Sequence, residues 1–319
     1  MEVDSVKALE VDNVSKEFPN TETLFWGESH RVLNNISFTI NKGQNVAIIG
    51  PNGCGKTTLL KTISTIYLPD EGTIRVFGND IFRHPEAARR AFSFVSPALN
   101  FQNKLTLRQT MRFFGQVVGK RPDYIIPFLK RMGILQKMDD RLEGFSEGQR
   151  AMVRLAIGFI KDPQILLLDE VVANLDVERK QRIINFLLEQ DELQDLTILM
   201  VDHEPSVVDR LCDKIIILDK GGVLYKIVSV KELLSMVPYK FNVNVSLKKD
   251  MSDRQLAGIG SDFRRYGNNV RYFAHDETEV DSIIRELLKR SRFVLEFSTS
   301  GVSLKDVYFW MMEGKLGKF

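Results

Sequence analysis

The sequence predicts an α/β fold built on a parallel sheet, followed by a small α+β domain. Val46-Ala47-Ile48-Ile49 is a short apolar run that breaks into a glycine-rich loop, after which Thr58, Leu59, Leu60 and Ile63 open a helix. A second apolar run, Ile165 to Leu168, ends in the paired acids Asp169 and Glu170. Beyond Pro238 the pattern changes to alternating strands and an amphipathic helical stripe.

With 319 residues and 44% hydrophobic content the chain can bury a core in each of two domains. A formal net charge of +2 offers no basic surface, so no nucleic-acid partner is expected. Cys54 and Cys212 are the only cysteines, and the first sits inside the glycine loop, which excludes a disulfide framework and points to a reducing compartment. Asp4, Glu10 and Asp12 argue against a secretory signal. No run approaches the ~18 apolar residues of a membrane-crossing helix, so a membrane function requires another chain.

Taken in order, the segment from Ala8 to Gly78 reads as short strands around the glycine loop, with Gly72 to Gly78 one of them. Gly50 to Thr57 reads G-P-N-G-C-G-K-T, which matches G-x-x-x-x-G-K-[ST] between a strand and a helix. Gly50, Gly53 and Gly55 let the backbone curl around oxygens, and the loop N–H groups of Asn52 through Thr58 face a phosphate chain at the helix start. Lys56 is placed to reach the β- and γ-phosphates and the Thr57 hydroxyl to ligate Mg²⁺. Cys54 fills a free position and reads as a spectator. Ile165 to Leu168 reads as a strand buried on both faces, delivering Asp169 to the metal and Glu170 to the attacking water at its C-terminal end. Thr197 to Val201 reads as a third strand, ending at Asp202-His203, where the histidine can face the γ-phosphate. His30, His84 and His275 have no companion at metal-ligand spacing.

Phe145-Ser146-Glu147-Gly148-Gln149-Arg150 precedes a helix from Ala151 to Ile160. With the glycine loop, the acidic strand, the Ala173-Asn174-Leu175-Asp176 loop and His203 in this order, the chain resembles the ATP-binding cassette (ABC) ATPases of membrane transporters over roughly residues 7 to 235. The resemblance implies a P-loop NTPase cassette with an antiparallel β layer and a helical subdomain, and ATP and Mg²⁺ as cofactors. It implies that two cassettes, as a homodimer or a related pair, close head to tail. Ser146, Gly148 and Gln149 of one then meet the ATP on the phosphate loop of the other, and Asp176 links the two sites. It also implies separate multi-span permease subunits and a cytoplasmic protein held peripherally on the inner face of the membrane. Catalysis would then rest on Glu170, His203 and Lys56.

The family pattern is broken at three places. Glu147 stands where the signature has its first glycine, and its side chain is expected to point away from phosphate. Pro97, after the strand Phe92 to Ser96, stands where the family usually has a metal-reaching glutamine, and Asn100 and Gln102 lie at the wrong spacing to replace it. The aromatic that stacks on adenine is assigned to Phe18, with Phe25 and Trp26 as alternatives.

The expected domains are residues 1–237, with a helical subdomain at about 97–155, and residues 238–319. Leu107 to Lys137 reads as helical, and Phe101, Phe113 or Phe114 are candidates for docking a membrane subunit or for plain core packing. In the C-terminal domain Phe241 to Leu247, Val270 to Phe273 and Phe293 to Phe297 read as strands. Val280 to Leu288 reads as a helix, with another from about Leu304. Val302 to Phe309 resembles the S-L-E-D-V-F ending of drug, lipid and polysaccharide exporter ATPases. The leading reading is an exporter ATPase. A cassette in a soluble complex, or a weakly active one serving as an ATP-binding structural partner, are the alternatives.

Overall fold

The computed structural model describes residues 5–19, 29–173, 175–194, 196–202, 204–304, 306 and 307, without the side chains of Pro122 and residues 190–194. Phe25, Trp26, Asn174, His203, Lys305, Tyr308 and Phe309 lie outside the described residues. The chain divides into two compact units, Met1–Ser229 and Val230–Phe319.

In the first unit, β1 (Lys7–Pro19) and β2 (Ser29–Asn41) pair antiparallel, and β4 (Glu71–Val76) and β5 (Asn79–Asp80) extend that layer beyond β1. β3 (Asn45–Ile49) lies between β9 (Lys214–Asp219) and β8 (Thr197–Val201), and β7 (Ile165–Asp169) and β6 (Phe92–Val95) follow outward, all parallel. β10 (Val223–Ser229) runs antiparallel to β9 and joins this sheet to β2. β3, β7 and β8 are buried at every position, as parallel strands covered on both faces must be.

Helix α1 (Lys56–Ile63) follows β3 and buries Leu59, Leu60 and Ile63 beside Ile48 and Val201 in one core. α2 (Pro85–Ala91) leads into β6, where its core residue is Ala88. α3 (Leu107–Val117), α4 (Ile126–Arg131) and α5 (Glu147–Phe159) form the helical part. Thr106 and Ser146 start α3 and α5 with reciprocal capping boxes to Gln109 and Gln149, each closing two backbone donors. Phe128, Phe159 and Phe186 pack edge to face or stacked at 4.8–5.7 Å, locking α4, α5 and α6 (Val177–Gln194) together. Phe113 is exposed and touches Phe114 edge-on at 5.2 Å, whereas Phe101 lies under the Arg154 guanidinium. α7 (Pro205–Leu211) precedes β9.

The second unit opens with α8 (Val230–Ser235) and continues as β11 (Phe241–Leu247), α9 (Asp253–Ala257), β12 (Phe263–Tyr266), β13 (Asn269–Ala274), α10 (Glu277–Lys289) and β14 (Val294–Gly301). The sheet order is β12-β13-β11-β14, all antiparallel, a split β-α-β-β-α-β unit. Val243, Val245 and Leu247 alternate with polar neighbours along β11 and pack against Leu256, Tyr272, Ile283 and Leu287. Three elements, α8, α9 and β12, go beyond the sequence expectation: each is short, and F-R-R-Y carries no clear alternation. Among the described residues no helix is long and apolar enough to cross a membrane.

Candidate functional site

The site lies where the parallel strands end. β3 delivers Gly50 to Gly55, and Gly55 occupies the left-handed region at φ 98° as it turns the chain into α1. A β-carbon there would meet Val32 O at 2.7 Å, so the turn needs glycine for both its dihedral and its space. Asn52 and Gly53 are exposed at the loop crest. Cys54 points the other way, 2% exposed within the core, and burial pushes its thiol up despite the neighbouring Lys56 charge. A thiol held neutral in the core is inert, and Cys54 offers a ligand only its backbone. Lys56 folds over the loop, its Nζ donating to Gly50 O and Pro51 O at 2.9 Å each. Thr58 continues the helix and its carbonyl accepts from Thr62 Oγ1.

β8 separates β3 from β7, yet Thr57 Oγ1 donates to Asp169 Oδ1 at 3.0 Å. This brings together two oxygens 112 positions apart in the chain. Asp169 is 5% exposed. Burial raises its carboxyl above the usual range, and the Glu170 charge adds to this, while the Thr57 hydrogen bond, Lys61 and Lys56 oppose it. A partly compensated carboxylate beside a hydroxyl is a hard-oxygen donor set that fits Mg²⁺, which uses few protein ligands and retains waters. Glu170 follows at φ 52°, a left-handed conformation for a side-chain-bearing residue, with its N–H on Val201 O at 2.9 Å. Such strain costs about 1–2 kcal/mol and gathers at functional sites. Asp202, at the end of β8, is 4% exposed and accepts from Glu204 N.

Of the other expected residues, Gly148 and Asp176 both adjoin Arg179. Ser146 is exposed and caps α5, its Oγ accepting from Gln149 N while Gln149 Oε1 accepts from Ser146 N. Gly148 is buried, and a β-carbon on it would meet Arg179 Cδ at 2.7 Å. A side chain at this signature position would therefore have to displace the Arg179 side chain. Asp176 accepts from Arg179 N at 2.9 Å and pairs with the Arg179 guanidinium, which together hold its carboxyl below the usual range. Phe18, at the end of β1, meets Tyr67 edge-on at 5.2 Å, with Lys16 Nζ 5.3 Å from its ring. Tyr67 and Arg179 escaped the sequence reading. Only contact with Phe18 or Asp176 marks them, and Arg179 alone had a sequence signal, its helical spacing from Asp176.

Glu147 is 62% exposed, and its Oε1 accepts from Arg154 Nη1 at 2.7 Å, two turns further along the same helix. Pro97 is exposed two residues past β6, in a turn where Leu99 N donates to Ser96 O. Pro97→Gln is expected to change the metal dependence or the rate of nucleotide turnover. Titration with Mg²⁺ and Mn²⁺ checks this, and unchanged curves would place the loop away from the metal.

The described fold agrees with that of known proteins. The ABC transporter family model matches residues 33–173. The chain is 32% identical over 201 residues to the ABC transporter ATP-binding protein NatA of Bacillus subtilis (strain 168), covering 61% of this chain and 81% of that protein. It is 30% identical to the methionine import ATP-binding protein MetN 1 of Paraburkholderia xenovorans (strain LB400), over 68% of this chain and 64% of that protein. It is 31% identical to the Nod factor export ATP-binding protein I of Rhizobium sp. (strain N33), over 60% of this chain and 64% of that protein. The chain thus spans just under two thirds of the length of these last two relatives. A dimeric bacterial ABC transporter cassette superposes with a TM-score of 0.62 at 23% identity, over 69% of this chain and 98% of that one, which is a likeness of fold. A phosphate loop joined to an acidic strand, and relatives of both import and export systems, lead to one assignment: the chain belongs to the family of ABC transporter ATP-binding proteins.

Proposed function

We propose that this chain is the ATP-hydrolysing subunit of an ABC exporter whose membrane-spanning part is a separate protein. The observation that carries the ATPase reading is the 3.0 Å contact between Thr57 Oγ1 and Asp169 Oδ1, next to the strained Glu170. The loop N–H groups and Lys56 hold the triphosphate. Lys56 exchanges its contacts with Gly50 O and Pro51 O for phosphate oxygens. Thr57 and Asp169 would hold Mg²⁺, which would offset the negative charge of the phosphates. Glu170 orients and polarises the attacking water, and the resemblance assigns His203 to the γ-phosphate. Positioning and fixed charge supply most of the acceleration.

The site closes only between two cassettes. Ser146 and the first N–H groups of α5 form a second anion cradle facing outward, toward a partner's nucleotide. ATP joins the two copies and hydrolysis parts them. Export rests on the Val302 to Phe309 ending and on the name of the Nod factor relative. The protein then sits on the inner face of the membrane through its permease. Pro97 favours a second reading, a slow cassette acting chiefly as an ATP-binding partner, because this side chain brings no oxygen to the metal.

The test is affinity capture of the Glu170→Gln chain from native membranes in mild detergent, with and without ATP, read by mass spectrometry. A stoichiometric multi-span protein is expected. Recovery of soluble partners alone would remove the protein from transport.

A further inference from the structure

A carboxylate at the start of α5 suits the helix itself, since the first-turn N–H groups favour negative charge. It conflicts with the proposed use of that same helix end as a cradle for a second anion, because Glu147 and a triphosphate repel. The structure places a counter-charge there. Arg154 donates to Glu147 Oε1 at 2.7 Å and also to Leu99 O at 3.3 Å, and its guanidinium lies 5.9 Å from the centre of the Phe101 ring. Its side chain is 11% exposed, against 62% for Glu147. An exposed ion pair between two mobile side chains contributes little, because ordering both costs entropy. Here Leu99 and Phe101 fix the arginine independently of Glu147. The neighbouring Arg150 makes a parallel tie, donating to Asn103 Oδ1 at 2.8 Å and to Phe145 O at 3.2 Å. The segment from Leu99 to Asn103, just past Pro97, is therefore held against the start of α5 by two arginines.

We propose that Arg154 is a positioning residue that draws the Glu147 carboxylate back along α5 and neutralises it, so that the Ser146–Gly148 end accepts the partner's phosphates. This rests on the shared-site reading above. Arg154 touches no nucleotide. It acts through Glu147 and ties the charge state of the cradle to the Leu99–Asn103 segment.

The experiment uses the full chain carrying Glu170→Gln, with ATP-driven dimerisation followed by analytical ultracentrifugation. In that background Arg154→Gln is expected to raise the ATP concentration needed for half-dimerisation about tenfold at low salt, and the shift should shrink near about 0.5 M salt. Adding Glu147→Gly to Arg154→Gln should return the value to within about twofold of the parent, because no charge is left to neutralise. A double variant as impaired as Arg154→Gln overturns the proposal and assigns Arg154 to packing alone. If Arg154→Gln does not fold, Arg154→Lys serves instead. It keeps the charge but not the fork that also holds Leu99 O, so a value within about twofold of the parent, or a larger shift that adding Glu147→Gly reverses, supports the proposal, and a shift that Glu147→Gly does not reverse overturns it. Lys56→Ala separates the two levels of inference. A parent that fails to dimerise with ATP, or dimerises equally with Lys56→Ala, defeats the shared-site reading and this proposal together.

Discussion

Glu170→Gln is expected to leave ATP binding intact while lowering turnover by about 10²- to 10⁴-fold, the range a single general base supplies. The reason lies in how β7 ends. Asp169 still pairs with Val201 in the sheet register, but Glu170 swings to φ 52° while its N–H stays on Val201 O. Glutamine keeps the shape and the backbone contact but cannot take a proton, so the loss is chemical rather than structural. The ATP-bound dimer should accumulate because the step that parts it is blocked. Phosphate release and sedimentation measured side by side check both halves. Turnover within about threefold of the parent would remove Glu170 from the chemistry. Glu170→Gly makes the complementary point. It relieves a left-handed backbone worth about 1–2 kcal/mol, less the extra freedom glycine gains when unfolded. A variant that is as stable or more stable, yet equally inactive, would show strain retained for function.

The phosphate loop and the acidic strand were legible in the sequence because their chemistry fixes residue types at fixed spacing beside apolar runs. The juxtaposition of Thr57 with Asp169 followed from this, since parallel strands end on one side of a sheet. Strand order was not legible. The apolar run shows that Thr197 to Val201 is a strand, but not that β8 lies between β3 and β7. Nor was the pairing of β1 with β2 over thirteen-residue strands, which is broken by several register shifts, because polar residues at Asp12 and Asn13 interrupt the alternation. The Glu147 anomaly was visible as a departure. Its partner was not, because Arg154 sits two turns on and owes its position to Leu99 and Phe101 on another segment. In the second unit α10 was read from its stripe, whereas α9, five residues long, depends on a Ser252–Gln255 capping box too local to stand out.

Asp306→Ala is expected to destabilise the second unit by about 2–4 kcal/mol, because the donors of Asn242 and Ser303 lose their buried acceptor and the partly exposed Arg271 loses its ion partner. The Asp306 side chain is 2% exposed. One carboxylate oxygen accepts from Asn242 Nδ2 at 2.9 Å, Ser303 N at 2.9 Å and Ser303 Oγ at 2.7 Å. The other accepts from Arg271, whose Nε donates to Asn244 Oδ1 at 2.7 Å. The carboxylate thus fastens Leu304 and Val307, both buried, to the face of β11 and β13 opposite the helices. Burial alone would raise its carboxyl, but the hydrogen bonds from Ser303 and Asn242 and the Arg271 charge outweigh burial and hold it below the usual range. A carboxyl depressed in the folded state contributes stability that is fully present above its unfolded value of about 3.9 and is lost as pH falls through the lower folded value. The parent should therefore lose stability below about pH 4 more steeply than Asp306→Ala, whose remaining profile lacks this step. Denaturant melts of both chains from pH 7 down to pH 3, followed by circular dichroism, check the magnitude and the sign. A difference under about 1 kcal/mol at pH 7, or parallel pH profiles, would mean that the carboxylate is accommodated without anchoring the segment.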